Sequence, residues 1–198
     1  MADNKVQPLE EIRPIAEAEV AETNDEAKKD YERGKQLFSN GDYAEAALAF
    51  HNALVGYEEK SNQTGIANAS NQLGHVCFAR EDYESALKHY QRACGICEKS
   101  NDRMSILSVW YKMVEANTKL GHYEEAITLC LDCLDMHQDH RDPQGAVAIL
   151  EDMAEIYTSM GQTAKAADAY RTISSIHRNF RHDKMAKQYL EKAENLEK

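Results

Sequence analysis

Four stretches of this chain repeat one another at a spacing of forty residues, with no slippage. GDYAEAALAFHNAL begins at Gly41, EDYESALKHYQRAC at Glu81, GHYEEAITLCLDCL at Gly121 and GQTAKAADAYRTIS at Gly161. A period of that length constrains the fold more than any composition does. Each unit is one supersecondary element that must bury its apolar face against the next. In each, a small or polar turn residue precedes an aromatic at Tyr43, Tyr83 and Tyr123, with Thr163 the exception. An alanine follows at Ala46, Ala86, Ala126 and Ala166. Next come Phe50, Tyr90, Cys130 and Tyr170, and three residues on Ala53, Ala93, Cys133 and Ile173.

The pattern is that of two antiparallel helices per unit. Gly or Glu at the turn ends the first helix, glycine being favoured because it tolerates a left-handed backbone. Alanine sits where the helices cross closely, and the aromatic fills the space beside it. Upstream of each turn, DYERGKQLFSN, NQLGHVCFAR, WYKMVEANTKL and LEDMAEIYTSM carry apolar residues at helical spacing. Nine Gly and only three Pro, with few β-branched residues, leave no room for several strands. Polar breaks at KSNQTG, KSNDRM and HRDPQG separate the units, and Asp142–Pro143 reads as a helix N-cap followed by proline in the first turn. DKMAKQYLEKAENLEK over residues 183–198 forms a last amphipathic helix, with Met185, Tyr189, Leu190, Ala193 and Leu196 on one stripe and charge behind it. A solenoid otherwise ends in exposed core, so this helix is expected to cap it.

On these residues the chain resembles the tetratricopeptide repeat (TPR) proteins, whose pattern is W-x2-L-G-x2-Y, then G-x-Y, A, F and A. The first repeat matches at Gly34, Leu37, Gly41, Tyr43, Ala46, Phe50 and Ala53, and the second at Leu73, Gly74, Tyr83, Ala86, Tyr90 and Ala93. The third has Trp110, Gly121, Tyr123 and Ala126, with Val114 in place of the usual small residue; the fourth has Ala154, Tyr157, Gly161, Ala166 and Tyr170. The resemblance covers residues 27–180. Its forty-residue period and missing helix-ending proline are similar to the longer-helix repeats of adaptor and scaffold proteins.

What the resemblance implies is an all-α fold, a right-handed α-solenoid of four helical hairpins over residues 25–182 with a capping helix at 183–198. Residues 1–24, broken by Pro8 and Pro14, fit no repeat and read as a mobile acidic arm. It also implies a concave groove lined by the first helix of each repeat, where a partner peptide or helix would bind. The groove positions are Tyr31, Lys35 and Phe38; then Asn68, Asn71, Gln72, His75 and Phe78; then Tyr111, Lys112 and Glu115; and last Glu151, Asp152 and Glu155. Asn and Gln can pair with an extended backbone, Tyr and Phe can anchor apolar side chains, and the fourth repeat's acids can meet Lys or Arg. The carboxylate clamp that some relatives use on chaperone tails is matched only loosely, by Lys35, Asn71 or Gln72, and Lys112. The expected function is a non-catalytic protein-interaction scaffold or adaptor; a dedicated chaperone or assembly factor for one client is the alternative.

Charge and cysteine usage narrow the classes further. The net charge is −11, and residues 1–26 hold eight acids against Lys5 and Arg13. An acidic chain lacks the basic footprint that nucleic acid or an anionic membrane surface requires. No apolar run approaches the ~20 residues of a membrane span, and MADNKVQPLEEIRP lacks the order of a secretory signal, so a cytoplasmic protein is expected. CGIC at Cys94–Cys97 and CLDC at Cys130–Cys133 have the bare spacing of a zinc site. The repeat register instead puts Cys130 and Cys133 where Phe50 and Ala53 stand, Cys94 at the Leu54 position and Cys77 at the Leu37 position, all core. Both pairs fall mid-helix and out of step with each other, so neither a metal nor a cofactor is expected. His137 and His140 in DMHQDHRD read as a solvated polar helix end. No Gly-rich phosphate loop, GxSxG or HExxH is present, which argues against an enzyme.

Overall fold

A computed structural model describes residues 25–198; the arm expected over 1–24 lies outside them. The described residues form nine helices and no strand: α1 (Glu26–Asn40), α2 (Tyr43–Glu59), α3 (Gln63–Ala79), α4 (Tyr83–Lys99), α5 (Arg103–Leu120), α6 (Tyr123–Asp139), α7 (Pro143–Ser159), α8 (Thr163–Asn179) and α9 (Asp183–Asn195). Each packs mainly on its neighbours in sequence, giving an all-α repeat solenoid.

The backbone repeats every twenty residues, twice as often as the sequence does. A left-handed residue follows each helix at Gly41, Ser61, Glu81, Asn101, Gly121, Arg141, Gly161 and Arg181, with φ between 52° and 86°. Each carries the same pair of capping bonds. The Gly41 amide donates to the Phe38 carbonyl at 3.0 Å and the Asp42 amide to the Leu37 carbonyl at 2.9 Å, and the seven later turns repeat both. These bonds satisfy carbonyls that the helix end would leave orphaned. Glycine marks only three of the eight positions, which is why the sequence displays the forty and hides the twenty.

The residue after each left-handed one is the N-cap of the next helix, and at four of the eight turns its side chain makes the capping bond. The side chains of Asn62, Asp82 and Asp102 accept from the amides of Gly65, Ser85 and Ser105 at 3.0, 3.1 and 3.1 Å. Asp142 accepts from Gln144 and Gly145, both at 3.1 Å, with Pro143 in the first turn as its sequence signals.

Helix crossings are filled by complementary volumes. A methyl group on Gly34 would meet the Phe50 ring at 2.7 Å, and one on Gly74 the Tyr90 ring at 2.4 Å. The third repeat inverts the pair, with Val114 opposite Cys130, and the fourth sets Ala154 opposite Tyr170. Val114 and Cys130 are both buried. The same complementarity operates between repeats, where a methyl on Gly65 would strike Tyr57 and one on Gly145 would strike His137.

The closing helix α9 buries Ala186, Tyr189 and Ala193 against the fourth hairpin. Met185, expected on that stripe, is 39% exposed. In the other repeats its position is held by Gly65, Ser105 and Gly145, small residues that face a side chain from the preceding helix. Here His177 takes the space, stacked on Tyr189 at 5.4 Å between ring centroids, and Met185 is displaced outward.

Gly34→Val should therefore destabilise the fold by about 1–3 kcal/mol, the usual cost of overpacking. Adding Phe50→Cys, which recreates the Val114–Cys130 pair, should recover part of that loss. Urea denaturation of the two variants checks the coupling; equal or greater loss in the double variant would refute it.

Candidate functional site

Of the expected groove residues, Phe78, Glu115, Asp152 and Glu155 meet in one pocket between α3, α5 and α7, and the others are placed elsewhere. Toward the first repeat these residues serve packing. Tyr31 sets its ring edge against Phe50 at 5.7 Å and Tyr57 at 6.4 Å. Lys35 lies over Tyr31 at 5.4 Å and pairs with Glu32 at 2.7 Å. Phe38 leans on Tyr43 at 5.4 Å. Asn71 and Gln72 are half-buried on α3, whereas Asn68 is exposed and lines a separate hollow of about 370 Å³ with Cys97 and Ser105.

Further along, two histidines tie the face to the even helices. His75 bridges the Asn71 amide at 3.3 Å and the Tyr90 hydroxyl at 2.9 Å. Burial, helped by nearby Lys112, pushes its pKa down and keeps it neutral. His137, expected in a solvated helix end, is 6% exposed. Its Nδ1–H donates to the Asp142 carboxylate at 3.0 Å, leaving Nε2 to accept from the Tyr111 hydroxyl at 2.7 Å. The forty-residue register explains the discrepancy, since His137 occupies the place of the buried Tyr57 and faces Gly145 as Tyr57 faces Gly65.

Three successive repeats then converge on one pocket of about 380 Å³. Phe78 of α3, Val114 of α5 and Ile156 of α7 supply its apolar wall, and Glu115, Asp152 and Glu155 its charge. Thr118, Lys119 and Ser159 complete the rim. Lys112 pairs with Glu115 at 2.8 Å, and Glu151 accepts from the Tyr189 hydroxyl of α9 at 2.5 Å. The carboxylates press on one another: burial first, then Glu155, Glu115 and Glu151, push the Asp152 carboxyl up to about 6. Such a cluster is poised to receive a cation, whose arrival relieves both the repulsion and the lost hydration.

The cysteines take no part in this face. Cys94, Cys97, Cys130 and Cys133 are buried within α4 and α6, and Cys77 is half-buried on α3. Burial pushes the Cys94, Cys130 and Cys133 thiols up to about 12, far from the thiolate that reacts with disulfides or metals.

Two models described as tetratricopeptide repeat match residues 25–99 and 107–140, together more than half of the chain. The chain is a tetratricopeptide repeat protein. Among solved structures, this TPR protein is similar to BtubC (BKLC) from P. vanneervenii, at 12% identity and a TM-score of 0.60, covering 83% of this chain and 76% of that one. A putative kinesin light chain from Podosopora anserina with nearly identical TPR-like repeats gives 13% identity and a TM-score of 0.62, over 85% and 93%. The signal transduction ATPase PH0952 from Pyrococcus horikoshii, which has a tetratricopeptide repeat sensor, gives 16% and 0.71, over 86% of this chain and only 28% of that one. At these identities the likeness concerns the fold alone. No curated protein sequence matches. Among the described residues no helix of this TPR protein is long and apolar enough to cross a membrane.

The pairing among these side chains, such as Lys112 with Glu115 and Tyr189 with Glu151, is not signalled in the sequence. Ile156 and Ser159 were legible only as helix positions, and nothing local to them signals a pocket wall. In the free protein, the unfolded chain loses its Asp152 proton near pH 4, whereas the folded chain holds it until about 6. That contribution to stability therefore falls as pH rises from about 4 to about 6 and is flat above. Asp152→Asn should stabilise the protein at pH 7.5 by about 1 kcal/mol, the shift being discounted for solvent that still reaches the side chain. The gain should vanish below pH 4; thermal melts at both pH values check it, and a gain independent of pH would overturn the assignment.

Proposed function

We propose that this TPR protein is a non-catalytic adaptor whose odd-helix face holds an extended or helical segment of a protein partner. The observation that carries the reading is the pocket spanned by α3, α5 and α7, where Phe78 stands beside Glu115, Asp152 and Glu155. Such a pocket suits a Lys or Arg side chain: the aliphatic stem lies on the apolar wall and the charged head meets the carboxylates. Half-buried Asn71 and Gln72, one repeat earlier, offer donors and acceptors to a peptide backbone. Tetratricopeptide repeats as a class are interaction modules, which supports a protein partner over a small-molecule substrate.

Two of the groove residues named from sequence serve the adaptor differently from the rest. Tyr31 and Phe38 lean on aromatic neighbours of their own hairpin, so they shape the near end of the face rather than offer free anchors. Binding is accordingly concentrated toward the third and fourth repeats.

The test is co-purification with the full-length chain and with a Glu151→Lys/Glu155→Lys variant. Partners held by this face should be depleted at least tenfold in the variant, and an unchanged set of partners would refute the reading. A single stoichiometric client would mark a dedicated chaperone instead of an adaptor. Because the receptive state has Asp152 ionised, retention should strengthen as pH rises from 5 to 7.5, through about 6. Retention that weakens over this range would contradict the role given to Asp152.

A further inference from the structure

The connections between repeats share one backbone geometry, so side chains that differ among them are not demanded by the turn. The last position of each even helix's cap is Lys60, Ser100 and His140 in three repeats and Phe180 in the fourth. Phe180 is 55% exposed, a large aromatic where the fold accepts serine or lysine. Two adjoining hollows, of about 430 and 550 Å³, open on either side of it. Both are lined by Arg141, Asp142, Pro143, Ile176 and Phe180; the first runs in to Leu134 and Leu150, the second to Val147.

The charge here is opposite to that of the odd-helix face. Arg141 lines both hollows, and Arg178 and Arg181 flank Phe180 in the chain. All three are exposed, and among the described residues none of them has an ion-pair partner. The neighbouring acids are mostly engaged: Asp139 pairs with Arg103 at 2.7 Å, and Asp142 holds His137 and caps α7. Asp183, in the first turn of α9, is the remaining one. Arg141 and Arg181 take left-handed backbones at φ 53° and 59°, where Ser61 and Asn101 stand in the other repeats. Arginine gains nothing for such a turn over asparagine, which adopts it more readily.

We propose that this edge binds a partner protein through a segment in which acidic residues surround an apolar anchor. The anchor enters the hollows beside Phe180, and its carboxylates meet Arg141, Arg178 and Arg181. Charge complementarity selects this occupant: in a chain of net charge −11, an unpaired arginine cluster around an exposed aromatic is the exception, and arginine matches carboxylate geometry in a bidentate fork. Aromatic and arginine side chains around a desolvated hollow are also the usual energetic centre of an interface. The site lies apart from the acidic pocket, so the two can be filled together, one by a basic segment and the other by an acidic one.

Fluorescence anisotropy on the full-length chain tests this with a labelled twelve-residue peptide of glutamates around a central Leu-Phe pair, against the same peptide with lysine for glutamate. The acidic peptide should bind and the basic one should leave this site empty. Phe180→Ser and Arg141→Asn, which install the residues already present at Ser100 and Asn101, should each weaken binding about tenfold without loss of fold. Asp152→Lys in the odd-helix pocket should leave it unchanged, which separates this site from the adaptor reading. Absence of binding to the wild-type chain, or binding indifferent to both edge variants, overturns the proposal. So does binding that emerges only in a full-length variant with Glu10, Glu11, Glu17, Glu19 and Glu22 changed to glutamine, since the occupant would then be the chain's own acidic segment.

Discussion

The left-handed residue that ends each helix is the constraint from which the rest of this molecule follows. It recurs every twenty residues, and its two capping bonds stop the first eight helices in step. Because every helix stops in step, a residue forty positions on meets the same environment in the next repeat. A chain that slipped by one residue at any turn would rotate every later helix by about 100° and turn buried stripes to solvent. The fold thus depends less on any single buried contact than on eight turns of one geometry, five of them built without glycine.

That regularity lets volume be traded across a crossing without disturbing the array. Phe50 needs Gly34, Tyr90 needs Gly74, and Cys130 tolerates Val114, so each repeat solves the same packing problem with different residues. The cysteines belong to this trade. The paired spacing that suggests metal ligation is a by-product of helical periodicity, in which positions three apart face the same way.

The two proposed binding surfaces are departures from the repeat. The odd-helix face changes from aromatic packing around Tyr31 to a carboxylate pocket at Asp152 because equivalent positions carry different charges along the solenoid. The loop edge changes at Phe180 and Arg141 in the same manner. Since the fold asks nothing special of these positions, their chemistry is free to serve binding.

Much of this was legible in the sequence. The period, the all-helical class and the core role of Cys130 and Cys133 follow from spacing, because helix periodicity is local and a fixed register carries an environment from one repeat to the next, whereas Glu151, Asp152 and Glu155 are named as groove residues through the resemblance to TPR proteins. His137 shows where that reading fails: its polar neighbours in sequence read as a solvated helix end, yet it is buried at the position that Tyr57 holds two repeats earlier. What only the tertiary structure decided is which side chains meet across repeats. The Tyr111–His137–Asp142 chain, the Tyr189–Glu151 bond and the gathering of Phe78, Glu115 and Asp152 join residues 26 to 74 positions apart in part or in whole. Their distances are set by how successive hairpins stack, and stacking is the sum of many small crossing geometries that no single stretch of sequence displays.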